Sequence, residues 1–521
     1  MKFSSKNKLY KKAGYLLLEK DFQFSAIFPF LSRYRYFFLL VLLYGLIRFI
    51  NLTILPIFND ESIYLRWGWL EIQSKNWFIS LYDGKQPLLT WFFGYAQIFF
   101  SDPLYAGRFV SIITGLMTLI GIFKIGVKFF TERFALLAGL FYSIVSIFVF
   151  YDRMALMESS ITAIGIWSCY FFLSLVAKPV IQTAILLGVT LGIGLFDKSD
   201  AGIFLVTAII SGSIVGLTRK HWKERKYFFL MLSLSLFVCV IVLAPLLLQK
   251  EVYTIVYDNS RYAYTLPQIF SHFFPIIAKN IPATFFLLWG YLTPVPFLLS
   301  IAGIIFFLTS QDLYAKLLVA WFFLPIIFFI LFTTNPIDRY IVAFLPVTTF
   351  FCAKTLLVCM QRFDKAAYRI SLFFAAFFIP VLLTCSLLFA PVTYFSLLHF
   401  LTPAVDVGYT QAPSGYGIPE IRKYLLQHSQ NKKIALFVQI GSGNPEDALY
   451  DYFGEKYNPN ITVISTSKEL ACKQPQIFLM TSYFISEGDS VNSSCMKNIK
   501  KFYRPVGNTF VGIYRVEHKA M

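Results

Sequence analysis

Apolar runs of about twenty residues recur along the first three quarters of the chain, each closed by a short polar or charged connection. As a helix, a run of that length crosses the roughly 30 Å hydrocarbon layer of a bilayer. The pattern predicts spans at 36–55, 107–129, 134–151, 157–177, 180–197, 201–218, 227–248, 283–309, 314–333, 340–360 and 368–390, about eleven in all. Between the first two lies 56–106, too apolar for a free linker. Ile63, Trp67, Leu70 and Trp77 keep to one helical stripe there, and a second helix fits about 87–100. With Trp67, Trp69, Trp77 and Trp91 aboard, both read as helices lying in the outer interface. The competing reading, a full span at 87–105, is short.

From about residue 401 the pattern changes, and glycines, asparagines and charges return. "GYGIPEIRKYLLQHS" predicts a helix from about 418. Four short runs at 433–440, 461–466, 476–483 and 509–516 read as strands. The expected organisation is a cytoplasmic basic tail at 1–35, a transmembrane domain at 36–400 and a small α/β domain at 401–521. The fold class is therefore a polytopic α-helical membrane protein, with interfacial helices in its first outer loop and a C-terminal extracytoplasmic α/β domain.

Composition agrees: 57% of residues are hydrophobic, 19% aromatic and only 14% charged. Soluble domains carry about 25% charged residues, so a soluble protein is excluded. A net charge of +18 raises the question of nucleic acid. The lysines and arginines instead gather in the N-terminal tail, 124–133, 218–226 and 361–369, which the positive-inside rule makes cytoplasmic. No nucleic-acid partner is expected. An odd span count then sends the C-terminal domain outside, with the loops at 56–106, 249–282 and 334–339. Five of the seven cysteines (Cys169, Cys239, Cys352, Cys359, Cys385) lie in apolar runs. Cys472 and Cys495 lie in the polar tail and can pair if it is outside the cytosol. No removable signal peptide is expected at the N-terminus.

Six basic residues fall on the outer side: Lys85, Arg108, Arg153, Lys198, Arg261 and Arg339. Charges at membrane depth are costly, and several together suggest an anionic ligand such as a lipid phosphate or pyrophosphate. For any one of them, snorkelling to bulk headgroups is the plainer explanation. Asp60, Glu61, Asp83, Asp152 and Glu158 share that side. "NDES" at 59–62 also suits an ordinary helix start, with carboxylates in the first turn. A carboxylate beside several cations has a chemical use as well, as a general base facing a departing phosphate. The five histidines show no H-E-x-x-H spacing. "GSGNPED" at 441–447 follows a predicted strand but lacks the Walker lysine, and reads as a turn and helix cap.

"NDESIY", "GKQPLLTWFFG", "LYAGRFVSIITGL", "YDRMALMESS" and "FDKSD" occur in that order. Over about residues 36–350 the chain resembles the GT-C membrane glycosyltransferases of the protein O-mannosyltransferase and aminoarabinose-transferase type (glycosyltransferase family 39 and relatives). The resemblance implies inverting transfer of a hexose or pentose from a polyprenyl-phosphate carrier to a protein, lipid or glycan acceptor at the outer face of a membrane, the bacterial plasma membrane being expected. It implies Asp60 as catalytic base with Glu61 beside it, and Glu158 as the acid of an "R-x-A-x-x-[DE]" stretch that begins at Arg153. Lys85, Arg108, Arg153, Lys198, Arg261 and Arg339 become contacts to the donor phosphate or its carrier. The resemblance fixes no cofactor, and Asp60 with Glu158 leaves a divalent metal open. The aminoarabinose branch reads "D-E-T-R-Y" where this chain has Ser62 and Ile63, so its substrate need not be aminoarabinose. Other classes remain: a transporter or flippase for lipid-linked anions, a polymerase or ligase of lipid-linked saccharides, or an envelope assembly protein. The first should show pseudo-symmetric halves with broken helices, and no half-to-half similarity is evident.

Overall fold

The computed structural model describes residues 35–402, 407–430, 432–454, 459–473, 481–488 and 495–517. Apart from Arg35, the expected basic tail lies outside them. In chain order the first four helices are α1 (Arg35–Phe49), α2 (Asn59–Ser74), α3 (Leu88–Phe99) and α4 (Pro103–Phe129). There follow α5 (Glu132–Ile144), α6 (Ser146–Tyr151), α7 (Glu158–Ala177), α8 (Ile181–Asp197), α9 (Gly202–Thr218) and α10 (Trp222–Leu247). The membrane part closes with α11 (Tyr253–Asn259), α12 (Leu266–Ser271), α13 (Phe273–Leu292), α14 (Pro294–Thr309), α15 (Leu313–Phe332), α16 (Asp338–Ile341), α17 (Thr348–Arg362), α18 (Ala366–Phe389) and α19 (Pro391–Leu401).

Among the described residues, eight helices are long and apolar enough to cross a membrane, against the eleven spans expected. The helices over the expected spans 36–55 and 180–197 are shorter, with 15 and 17 residues, and two other expected spans are broken. The stretch expected as one span at 283–309 is two helices, broken at Thr293, whose φ is +69°. Pro294 disfavours the helical region for the residue before it and is itself suited to a helix start. The span expected at 134–151 breaks at Val145. There the Arg48 guanidinium reaches in from α1 and donates to the carbonyls of Tyr142 and Ser143, closing α5, while it pairs with Asp152 at 3.0 Å.

Between α1 and α4, helices α2 and α3 touch backbone to backbone. A Cβ built on Gly94 would lie 2.1 Å from the Gly68 carbonyl oxygen, so only glycine permits this approach. The 12 residues of α3 reach about 18 Å at the helical rise, too short to cross hydrocarbon. Trp91 donates to the Trp77 carbonyl at 2.5 Å, fastening the loop between the two helices.

The C-terminal part is a five-stranded sheet in the order β2-β1-β3-β5-β4, made of β1 (Ile434–Gln439), β2 (Ile461–Thr466), β3 (Thr481–Glu487), β4 (Met496–Tyr503) and β5 (Phe510–Val516). The first three run parallel and β5 is antiparallel to both β3 and β4. Central β1 is buried over five consecutive residues, as a strand covered on both faces must be. Two helices, α20 (Ile418–His428) and α21 (Glu446–Phe453), flank it. The strand expected at 476–483 begins, among described residues, only at Thr481. The fourth strand carries Lys497, Lys500 and Lys501 on an exposed edge, and its weak apolar alternation hid it from the sequence pattern. Cys472 and Cys495 form a disulfide.

Candidate active site

The turn between α1 and α2 has no regular structure of its own, and two arginines from elsewhere supply its hydrogen bonds. Arg153 donates to the carbonyls of Ile47, Ile50 and Asn51 at 2.7–2.9 Å, capping the end of α1. Arg108, on α4, donates to the carbonyls of Leu52 and Leu55 at 2.8 and 2.9 Å and to Pro56 at 3.3 Å. Its remaining donors grip Glu61 in a two-pronged pair at 2.8 and 2.7 Å. Glu61 also accepts from the backbone N–H of Phe58 and of Ala155. Both side chains are fully buried. The helix-start reading of "NDES" thus applies to Glu61, and every donor of Arg108 meets a protein oxygen.

Asp60 sits one residue earlier and faces the other way. Its Oδ2 accepts from Nη1 of Arg339 at 2.5 Å, and its side chain is about a third exposed. Arg339 turns its Nε to Oε1 of Glu158 at 3.0 Å. The same Glu158 oxygen meets Nζ of Lys198 at 3.2 Å, and Lys198 pairs with Asp200 at 2.9 Å. Glu158 opens α7, Lys198 ends α8 and Arg339 lies in the short α16, so four helix ends converge on one point. Oε2 of Glu158 is buried, with no hydrogen-bond partner among the described residues. Tyr64, one turn along α2, is buried nearby, and burial with the Asp60 charge pushes its phenol well above its usual range. It remains a neutral hydroxyl.

A second group adjoins the first. Lys85 pairs with Asp258 of α11 at 2.5 Å, and Arg261 reaches the other oxygen of Asp258 at 3.4 Å. Aromatic rings connect the groups: Lys85 lies 5.6 Å from the ring of Tyr262, which lies 6.3 Å from Tyr340, which lies 5.7 Å from Nζ of Lys198. The Ser199 hydroxyl accepts from the side-chain amides of Gln86 at 2.6 Å and Asn259 at 2.8 Å, tying the two groups through side chains. Of the nine residues singled out from sequence, Asp60, Glu158, Lys85, Lys198, Arg261 and Arg339 therefore gather along one array. Glu61, Arg108 and Arg153 lie behind it, in the lattice under the turn.

Asp200, Asp258, Tyr64, Tyr262 and Tyr340 escaped the sequence reading. The acids lay in view ("FDKSD", "VYDNSRY"), but nothing in their spacing names a partner 173 residues away. Glu71 was missed too. It is buried in α2, accepts from the N–H of Ser80 at 3.3 Å and lies 2.7 Å from the Thr90 hydroxyl. It thereby pins the single 3₁₀ turn Ile79–Asp83 that leads into Lys85. Burial pushes the Glu71 carboxyl from 4.5 up to about 7.

A metal held by Asp60 and Glu158 does not fit these residues. The Arg339 guanidinium already bridges the two carboxylates, and Lys198 takes a further share of Glu158. Among the described residues no three metal-ligating side chains come together.

Residues 84–245 match the family model described as dolichyl-phosphate-mannose-protein mannosyltransferase. No protein of curated function matches the chain in sequence. Among solved structures, ArnT from Cupriavidus metallidurans in the apo state aligns with a TM-score of 0.57 at 15% identity, covering 92% of this chain and 98% of that one. The same protein bound to undecaprenyl phosphate aligns at 0.54, with equal identity and coverage. The Archaeoglobus fulgidus oligosaccharyltransferase in complex with Zn and sulfate aligns at 0.51 and 14% identity, over 87% of this chain and 68% of that one. At such identities the likeness is one of fold. This chain shares its fold with ArnT and with the archaeal oligosaccharyltransferase, and its residues 84–245 match the mannosyltransferase family model.

Proposed function

We propose that the protein is an inverting glycosyltransferase, taking a sugar from a polyprenyl-phosphate donor and passing it to a protein, lipid or glycan acceptor at the outer face of a membrane. The observation that carries this reading is the triad Asp60–Arg339–Glu158. It places a partly exposed carboxylate against a cation that a second, buried carboxylate holds fixed. Asp60 accepts the proton of the acceptor hydroxyl or amine as that atom attacks the anomeric carbon. The bond from that carbon to the phosphate oxygen breaks, and the electron pair leaves with the polyprenyl phosphate. Arg339, Lys198, Lys85 and Arg261 neutralise the phosphate. One displacement inverts the anomeric centre and needs no covalent sugar–enzyme intermediate. Glu158 orients Arg339 and Lys198, and Arg108, Arg153 and Glu61 hold the turn that presents Asp60.

The mannosyltransferase match and the alignment with an ArnT that carries undecaprenyl phosphate favour a lipid-phosphate donor. The Cys472–Cys495 disulfide favours an oxidising compartment for the C-terminal domain, with basic connections on the cytoplasmic side. The test incubates membrane-reconstituted protein with undecaprenyl-phosphate-linked hexoses, pentoses and amino sugars and measures carrier release. Release that is lost in Asp60→Asn supports the reading. No release across the panel, or undiminished release by the variant, refutes it.

A further inference from the structure

The segment "GSGNPED", which the sequence suggested was only a turn, lies against the start of α2. From the sheet domain, the N–H of Asn444 donates to Oδ1 of Asn59 at 2.8 Å. Its side-chain amide donates to the Ile57 carbonyl at 3.0 Å. Two glycines make room for this contact. A Cβ on Gly443, whose φ is +87°, would sit 2.0 Å from Oδ1 of Asn59, and one on Gly415 would sit 1.9 Å from the Ile57 carbonyl oxygen. Two turns further along α2, Arg66 pairs with Asp447 at 2.6 Å and lies 3.8 Å over the Tyr450 ring.

Because Oδ1 of Asn59 takes the Asn444 N–H, its Nδ2 must face the other way. That nitrogen points at Oδ1 of Asp60, at 3.4 Å. Ile57 and Asn59 are thus gripped from the sheet domain, and Glu61 from the membrane domain through Arg108. Asp60 lies between the two grips, with Oδ1 facing Asn59 and Oδ2 facing Arg339.

We infer that the 441–447 segment positions the catalytic base: Asn444 sets the amide of Asn59, and Asn59 sets the carboxylate of Asp60. This role rests on the transferase reading above. It gives the C-terminal domain a part in the chemistry, because small displacements of a reacting group cost rate steeply.

The experiment compares Gly443→Ala, Asn59→Ala and Asp60→Asn in proteoliposomes, using the undecaprenyl-phosphate sugar that gives carrier release. Thermal melts and hydrogen exchange over 57–66 are recorded in parallel. Asn59→Ala keeps the backbone of both domains and guards against a misfolded Gly443→Ala. Expected are a kcat about tenfold lower in Gly443→Ala and Asn59→Ala, a donor KM within about twofold and faster exchange over 57–66 in Gly443→Ala. Unchanged kcat in both, beside an inactive Asp60→Asn, overturns the positioning role and leaves the transferase reading standing. An active Asp60→Asn overturns the base assignment and this role with it.

Discussion

Asp60 and Glu61 are adjacent on one helix start, and the molecule treats them in opposite ways. Glu61 is shut in with Arg108, and between them they satisfy four backbone or side-chain donors and three carbonyls under the turn. Asp60 keeps one oxygen on Arg339 and stays open to solvent, among cations shared out between several acids. In the first environment every polar atom has a fixed partner, so any loss is felt in folding. In the second the partners are exchangeable, so a loss is felt in binding and rate. Proximity in sequence does not predict which environment a residue meets. The side on which it leaves the helix does.

Substitutions sharpen that contrast. The largest effect is expected from Asp60→Asn, a fall of about 10²–10⁴-fold in transfer, the usual worth of a general base, with an unchanged melting temperature. Arg108→Leu comes next and falls on the other side of the contrast. It leaves Glu61 buried and unpaired, at a cost of about 3–5 kcal/mol, read as lost folded protein in size-exclusion and thermal melts. Normal folding of Arg108→Leu with selective loss of donor binding would erase the distinction. Lys198→Ala and Lys85→Ala should raise the donor KM about tenfold, the scale of one charge-assisted hydrogen bond, with little change in folding.

The smallest effect concerns Glu71. The Thr90 hydroxyl lies 2.7 Å from both Glu71 Oε2 and the Pro87 carbonyl, and it has one proton to give. A neutral Glu71 that donates to Thr90 lets Thr90 donate to Pro87. The folded carboxyl, raised from 4.5 to about 7, thus holds a proton that the unfolded chain releases earlier. Its stabilising contribution is complete below about pH 4.5 and is lost as pH rises through about 7. Glu71→Gln reproduces the neutral form, and melting curves from pH 4.5 to 7 should flatten by a few degrees. An unchanged slope would mean that Glu71 is not the titrating group.

Much of this architecture was legible in the sequence because apolar runs and turn chemistry are local. The helices at 59–74 and 88–99, and three strands of the sheet, answer to patterns a few residues long. The breaks at Val145 and Thr293 were less legible. The first depends on Arg48, which approaches from another helix, and the second on a single Thr-Pro step inside an apolar run that has no charged residue to announce it. The site divides in the same way. Asp60, Glu158 and Lys85 stood out through their motifs and their place in the topology. Which cation each acid meets is a property of folding, since Arg339 comes to Asp60 from 279 positions away. The contact between 441–447 and Asn59 left no trace at all, since glycines that permit a close approach look like glycines that make a turn.

The array at the site has one more property. Asp60, Glu158, Asp200 and Asp258 face Lys85, Lys198, Arg261 and Arg339, four anions against four cations, so the resting pocket is electrically balanced. A sugar phosphate arriving there does not fill a positive hole. It trades places with carboxylates already bound, much as a solute displaces a counterion on an exchange resin, and a carboxylate released in that trade is left with a lone pair and no cation to occupy it.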